Sequence, residues 1–223
     1  KVGNSSTELG DEPLQYVYKF DDITVTVCED RVKGVKNLRK QRPETEIVLL
    51  DDAYQHRQIE PGMNILLMEY SNVFIQNYLL PSGTLREPSS SKRRADVIIV
   101  TKSPIVLSPL ERRRIEAEID PGPQQKIYFT YLKYGAFMPP WSNSRPIGIS
   151  QDYYYDRNFS ILLVTGIANP DHLMAHMREK SSKVKLLKFA DHHEYTLADL
   201  KKIEAAFEEI FSQNKIIVTT EKD

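Results

Sequence analysis

The sequence predicts an α/β fold, a mainly parallel sheet covered by helices, with a smaller α/β domain at the carboxyl end. Three observations predict it. Short apolar, β-branched runs recur along the chain; helix-like stretches with recognisable start signals lie between several of them; and one proline- and tyrosine-rich stretch interrupts the alternation.

The runs fall at residues 23–28, 47–50, 64–68, 96–101, 127–132, 161–165, 184–189 and 216–219, and each reads as a buried strand. Among the helices, Asp30 is a candidate cap for one, and Ser108-Pro109-Leu110-Glu111 supplies an N-cap, a proline at the first helical position and a glutamate three residues on. Asn169-Pro170 opens another helix, running to about Lys180, and Thr196-Leu197-Ala198-Asp199 offers a weaker form of the capping pattern. Residues 137–157 hold Pro139, Pro140, Trp141, Pro146 and the consecutive Tyr153, Tyr154 and Tyr155, with no clear period. The stretch is expected to join a first domain over 1–136 to a second over 158–223 that ends early. In such sheets, ligands are expected at the carboxyl ends of the strands.

Composition narrows the function classes. The 223 residues carry a formal net charge of −1, so no overall field gathers nucleic acid, and an anion has to be recognised locally. The single cysteine, Cys28, excludes an internal disulfide framework and a cysteine-based zinc site, which fits a reducing compartment. The longest apolar run, 159–168, falls far short of the roughly 20 residues needed to span a bilayer. The chain begins on Lys1 and stops just after a strand-like run, and it reads as a fragment.

Several constellations carry chemistry. The run at 47–50 ends in Asp51-Asp52, the arrangement by which a Walker B strand holds magnesium beside a nucleotide; a single helix-capping aspartate is the simpler alternative. Gln55, His56 and Arg57 follow within a turn, more polar valence than a strand end needs. In Leu79-Leu80-Pro81-Ser82-Gly83-Thr84-Leu85-Arg86-Glu87-Pro88, Arg86 can clamp a phosphate and Glu87 can hold a metal, or the two can form a surface ion pair. Gly10-Asp11-Glu12-Pro13 puts two acids on a glycine turn before a helix. Asp191-His192-His193 directly follows a strand, where general base, orienting partner and metal ligand are all open. His172 and His176 stand at helical spacing, but no glutamate follows His172 as a zinc-protease motif requires, so they read as surface or core histidines. The basic cluster at 89–94 is either a solvated loop or a contact for phosphate or lipid head groups. None of the nine glycines precedes a lysine, so the glycine-rich cradle for a nucleotide triphosphate is absent from these residues.

Taken in order, Gly-Asp-Glu-Pro, Leu-Asp-Asp-Ala-Tyr-Gln-His-Arg, Leu-Pro-Ser-Gly-Thr-Leu-Arg-Glu-Pro, Thr-Gly-Ile-Ala-Asn-Pro, Asp-His-His and Thr-Thr-Glu-Lys-Asp resemble the tetraacyldisaccharide 4'-kinase family, the lipid A 4'-kinases, over essentially the whole chain. The resemblance implies a P-loop NTPase-like fold with a smaller second domain, and transfer of the ATP γ-phosphate, with Mg2+, to the 4'-hydroxyl of a lipid A disaccharide precursor. It also implies a peripheral position on the cytoplasmic face of a Gram-negative inner membrane, with no nucleic acid and no protein partner. Carried over residue by residue, it makes Asp11 and His192 the base that deprotonates the sugar hydroxyl. Asp51 and Asp52 would serve magnesium, Gln55 and His56 would shape the site, and Arg86 and Glu87 would stand near the phosphates and the metal.

The sequence departs from the family pattern at Ala53, where glycine is usual, and at Ser82 and Thr84. Val2-Gly3-Asn4 looks like the lead-in to the family's phosphate loop, so loop and helix are expected to be left out here, as is the family's N-terminal hydrophobic helix. Two rival readings stand beside the kinase: a metal-dependent phosphoesterase of the DHH type, resting on Asp191-His192-His193, and a non-catalytic binding module that has lost its phosphate loop.

Overall fold

A computed structural model describes residues 10–73, 78–83, 85–138 and 150–223, with the side chain of Asp11 also outside the description. Val2-Gly3-Asn4, Thr84, Pro139, Pro140, Trp141 and Pro146 therefore lie outside the described residues. By contacts the chain divides into two compact units, one formed by residues 28–134 and the other by residues 1–27 together with 135–223.

The unit of residues 28–134 holds α2 (Arg31–Gln41), β1 (Ile65–Glu69), β2 (Val97–Thr101), α3 (Pro109–Ile119) and β3 (Lys126–Phe129). Its three strands form a parallel sheet in the order β1-β2-β3, with Leu66, Ile98 and Ile127 in register and Met68, Val100 and Phe129 in the next layer. These side chains share one face, because alternate strand residues point the same way. They pack with Ile115 and Ile119 of α3, and Ile98, Val100 and Ile115 are completely buried. The start of α3 is as expected: the Ser108 hydroxyl accepts from the Glu111 backbone N–H and Pro109 opens the helix. Asp30 likewise caps α2, accepting from the Lys33 N–H at 2.9 Å.

The other unit holds α1 (Asp11–Lys19), α4 (Gln151–Asp156), β4 (Ser160–Thr165), α5 (Asp171–Lys180), β5 (Val184–Lys188), α6 (Leu197–Glu208) and β6 (Lys215–Val218). The order β5-β4-β6 is again all parallel, with α5 and α6 as the crossovers. As the central strand, β4 is buried along its whole length, which is why it reads as an unbroken apolar run. Leu162 and Val164 meet Ala206, Ile203 and Phe207 of α6, while α5 buries Leu173, Met174 and Met177.

Six of the eight expected strands are present. The runs 23–28 and 47–50 are extended but join no ladder among the described residues. Their composition suits a strand, yet a strand exists only through its neighbours, and Ile47 and Leu49 are 77% and 90% exposed. Within the stretch read as irregular, Gln151–Asp156 forms a short helix whose Ser150 cap accepts from the Asp152 N–H. Its tyrosines serve packing: Tyr154 meets Phe159 edge-on and Arg157 lies over the Tyr153 ring.

Candidate functional site

The expected site residues fall into two groups, one in each unit. In the unit of residues 28–134, the turn after 47–50 carries Asp51 and Asp52, with Asp52 in the left-handed region at φ 45°. The Asp52 carboxylate lies 3.7 Å from the Arg86 guanidinium, so the two loops that hold these residues converge. A second strut reinforces that convergence. Arg94 donates to Glu87 at 2.7 Å and to the Tyr54 backbone carbonyl at 3.0 Å, and its guanidinium lies over the Tyr54 ring. The Tyr54 hydroxyl donates in turn to the Ser91 carbonyl at 2.8 Å. The hydrogen bond from Arg94 holds the Glu87 carboxyl below the usual carboxylate range, and burial pushes the Tyr54 phenol up.

These contacts change two readings. Glu87 is engaged with Arg94 and braces the loop, a different task from the metal ligation expected of it. The basic cluster is neither a solvated loop nor a phosphate contact throughout, since Arg94 makes that strut and Lys92 donates to the Ile119 carbonyl at the end of α3. Gln55 and His56 line a cavity of about 460 Å³ together with Glu29, Arg31 and Arg57. Among the described residues no three His, Cys, Asp or Glu side chains converge as a metal cage. A pair of adjacent aspartates still suits magnesium, which keeps most of its water and takes one or two carboxylates beside substrate phosphates.

In the other unit, Asp11 is the first residue of α1, and its side chain lies outside the described residues. The three residues of Asp191-His192-His193, which sequence could not separate, have different surroundings. His193 turns inward, 3.1 Å from Asp199 and stacked on Phe189. His192 adopts φ 56°, a left-handed conformation that its backbone N–H holds by donating to the Gly166 carbonyl. The motif thus divides between two tasks and does not gather its side chains on one metal.

Asp199 anchors the start of α6. It accepts from the Thr196 hydroxyl at 2.7 Å and the Thr196 N–H at 3.1 Å, while the Thr196 hydroxyl accepts from the Asp199 N–H, so the cap judged weaker from sequence is a complete capping box. Those Thr196 hydrogen bonds, with His193 and Lys202, hold the Asp199 carboxyl well below the usual range. A depressed folded-state pKa stabilises above the unfolded value and is lost as pH falls through the folded one. Asp199→Asn is therefore expected to lower the urea midpoint most at neutral pH, with the gap to wild type closing below about pH 4.

The motif that received no role from sequence, Thr219-Thr220-Glu221-Lys222-Asp223, turns out to tie this unit together. Glu221 accepts from Lys19 and Gln15 of α1 at 3.0 and 3.3 Å. Lys222 reaches Asp191 and His192. Asp223 accepts from the Gly166 N–H at 2.7 Å, the Tyr195 hydroxyl at 3.0 Å and the Thr220 hydroxyl at 2.7 Å. Gly166 is required by the close approach, because a Cβ there would stand 2.8 Å from the Asp223 carboxylate and 3.0 Å from the Ala190 carbonyl.

Known proteins share this arrangement of sequence. A family model described as tetraacyldisaccharide-1-P 4'-kinase matches residues 1–223. The tetraacyldisaccharide 4'-kinase of Phocaeicola vulgatus is 38% identical over 96% of this chain and 58% of its own length. That of Parabacteroides distasonis is 40% identical over 99% of this chain and 60% of its own length. The chain thus spans about three-fifths of these relatives. A crystal structure of LpxK from Aquifex aeolicus, described as the "apo" form in complex with ATP, superposes with a TM-score of 0.65 at 22% identity, covering 98% of this chain and 60% of that one. That likeness shows a shared α/β fold, and none of the comparisons supports the phosphoesterase or the binding module. With its whole length matched by the family model, this chain belongs to the tetraacyldisaccharide-1-P 4'-kinase family.

Proposed function

We propose that the protein, in its natural full-length form, transfers the γ-phosphate of ATP to the 4'-hydroxyl of a tetraacyldisaccharide 1-phosphate in lipid A biosynthesis. The observation that carries this reading is the family match over residues 1–223. In the reaction the 4'-hydroxyl oxygen forms a bond to the γ-phosphorus, the bond from that phosphorus to the bridging oxygen breaks, and ADP departs. The hydroxyl proton passes to the pair formed by Asp11 and His192. Transfer of this kind depends mostly on positioning and charge neutralisation, so the protein's task is to hold the reactants in line.

Asp51 and Asp52 would hold Mg2+, which neutralises phosphate charge when bound. Arg86, held near Asp52, would meet phosphate oxygens, and Gln55 and His56 would shape the adjoining cavity. Glu87 acts here by fixing Arg94 and the loop around Arg86. The substrate is a lipid, so the enzyme works as a peripheral protein on the cytoplasmic face of the inner membrane; no helix among the described residues is long and apolar enough to cross one.

The test is transfer of labelled γ-phosphate from ATP to a tetraacyl disaccharide 1-phosphate by the full-length protein, across a magnesium titration. Asp51→Asn with Asp52→Asn is expected to raise the magnesium needed for half-maximal rate at least tenfold. An unchanged requirement would remove these residues from the metal site.

A further inference from the structure

The segment that leaves the carboxyl end of β2 carries apolar side chains into solvent, at the edge of the sheet where ligands gather in this fold class. Ile105, Val106 and Leu110 are 75%, 86% and 79% exposed, and Pro104 is exposed beside them. Apolar residues exposed singly are ordinary on a protein surface, whereas a group of them marks a contact. This group is held out by anchors on both sides. Lys102 turns the chain at φ 54°, and its ammonium is fixed 3.0 Å from Glu69. The buried Ser103 donates from its N–H to the Thr130 carbonyl at 2.8 Å and from its hydroxyl to the Val100 carbonyl at 3.0 Å. Beyond the tip, Leu107 packs against the core and Ser108 caps α3. Pro104, Ile105 and Val106 lie between these anchors, so a short, pinned loop presents them to solvent.

We propose that this loop and the outer face of α3 dock on a lipid bilayer whose head groups are anionic. The proposal rests on the reading of the protein as a peripheral enzyme with a lipid substrate. Charge selects the partner. On α3, Leu110, Arg113 and Ala117 fall on the side opposite the buried Ile115 and Ile119, and all three are exposed. A cation therefore follows the apolar tip on the solvent face. The neighbouring acids are occupied: Glu69 accepts from Lys102, Glu111 from the Tyr70 hydroxyl at 3.2 Å, and Glu116 from Arg112 at 3.0 Å. Glu118, the remaining acid of α3, is five residues from Arg113 and so lies on another side of the helix.

Docking of this kind needs apolar side chains that reach below the head groups and a cation that stays at their level, and the loop and the first turns of α3 supply both. A protein partner fits the feature less well. A stable protein–protein interface takes roughly 20–30 residues a side, far more than a three-residue tip with one leucine and one arginine behind it, whereas a bilayer needs only the tip to enter.

The experiment sediments full-length protein with vesicles of phosphatidylcholine alone, or of phosphatidylcholine with about one-third phosphatidylglycerol, and measures the bound fraction across lipid concentration. Wild type is expected to bind the anionic vesicles. Ile105→Ser combined with Val106→Ser and Leu110→Ser is expected to lower the partition coefficient at least tenfold. Arg113→Glu is expected to lower it about fivefold on the anionic vesicles only, and Arg113→Lys to bind as wild type does. These positions are exposed, so the urea midpoints are expected to stay at the wild-type value. Phosphate transfer to substrate presented in anionic vesicles is expected to fall with binding, while transfer to substrate dispersed in detergent stays at the wild-type rate. A triple-serine variant that binds as wild type does, or a wild type that stays in the supernatant, overturns the docking. Equal loss on both vesicle types for Arg113→Glu overturns the choice of an anionic surface. If the lipid-kinase reading is at fault, wild type transfers no phosphate in detergent while vesicle binding still responds to the loop, so the two failures are distinguishable.

Discussion

Replacing Asp11 or His192 with alanine in the full-length protein is expected to lower kcat for 4'-phosphate transfer by roughly 10²–10⁴-fold, the range for removing a positioned proton acceptor. KM for ATP is expected to change little, because neither residue is assigned to the nucleotide. The two effects should also overlap: members of one pair act as a unit, so Asp11→Ala with His192→Ala costs little more than either alone. His192 is held in an uncommon backbone conformation by Gly166, and Asp11 begins a helix whose Lys19 and Gln15 reach the same Glu221-Lys222-Asp223 turn that reaches His192. Steady-state kinetics of the three variants checks this, and a wild-type rate for either single variant would remove that residue from the pair.

Leu162→Ala is expected to destabilise its unit by about 3 kcal/mol, within the 2–5 kcal/mol seen when a buried leucine is truncated. Leu162 is completely buried in the central strand β4 and packs with Ala206, so neither face offers solvent to fill the space left behind. Residues on the sheet's edges could shift to close a gap, but β4 is paired on both sides, to β5 and to β6. The control is Phe211→Ala in the same unit, which truncates a larger but fully exposed side chain and is expected to change stability by less than about 0.5 kcal/mol. Equilibrium urea unfolding of both variants checks the contrast. Equal effects would show that burial does not set the cost.

Much of the fold is legible in the sequence because parallel strands buried in a sheet write themselves as apolar runs. Residues 160–165 are the clearest case, and the caps at Asp30 and Ser108 depend only on local hydrogen bonds that sequence displays directly. The runs at 23–28 and 47–50 misled because composition reports what a strand would bury, while pairing depends on a neighbour that composition does not name. The capping box at Thr196 is stronger than its sequence suggests, since His193 and Lys202 also hold Asp199.

The candidate site residues stand out in the sequence as carboxylates, imidazoles and arginines. Their supports do not. Arg94 sat inside a cluster that read simply as positive charge, and only the fold shows it reaching back to Glu87 and Tyr54. Tyr54 gave a signal that could have been taken, a bulky aromatic in the middle of a polar turn, which needs a packing partner to stay there. Lys222 meets Asp191 across 31 residues, and Asp223 meets Tyr195 across 28 and Gly166 across 57, and no periodicity encodes those distances.

The proposed transfer of phosphate to a lipid disaccharide is tested by following the label of γ-phosphate-labelled ATP incubated with the full-length protein, magnesium and a tetraacyl disaccharide 1-phosphate. The label is expected on the 4'-position of the disaccharide, and none is expected there when the hydroxyl is blocked. Label released only as inorganic phosphate, or no reaction with ATP alongside cleavage of a phosphodiester, would contradict it.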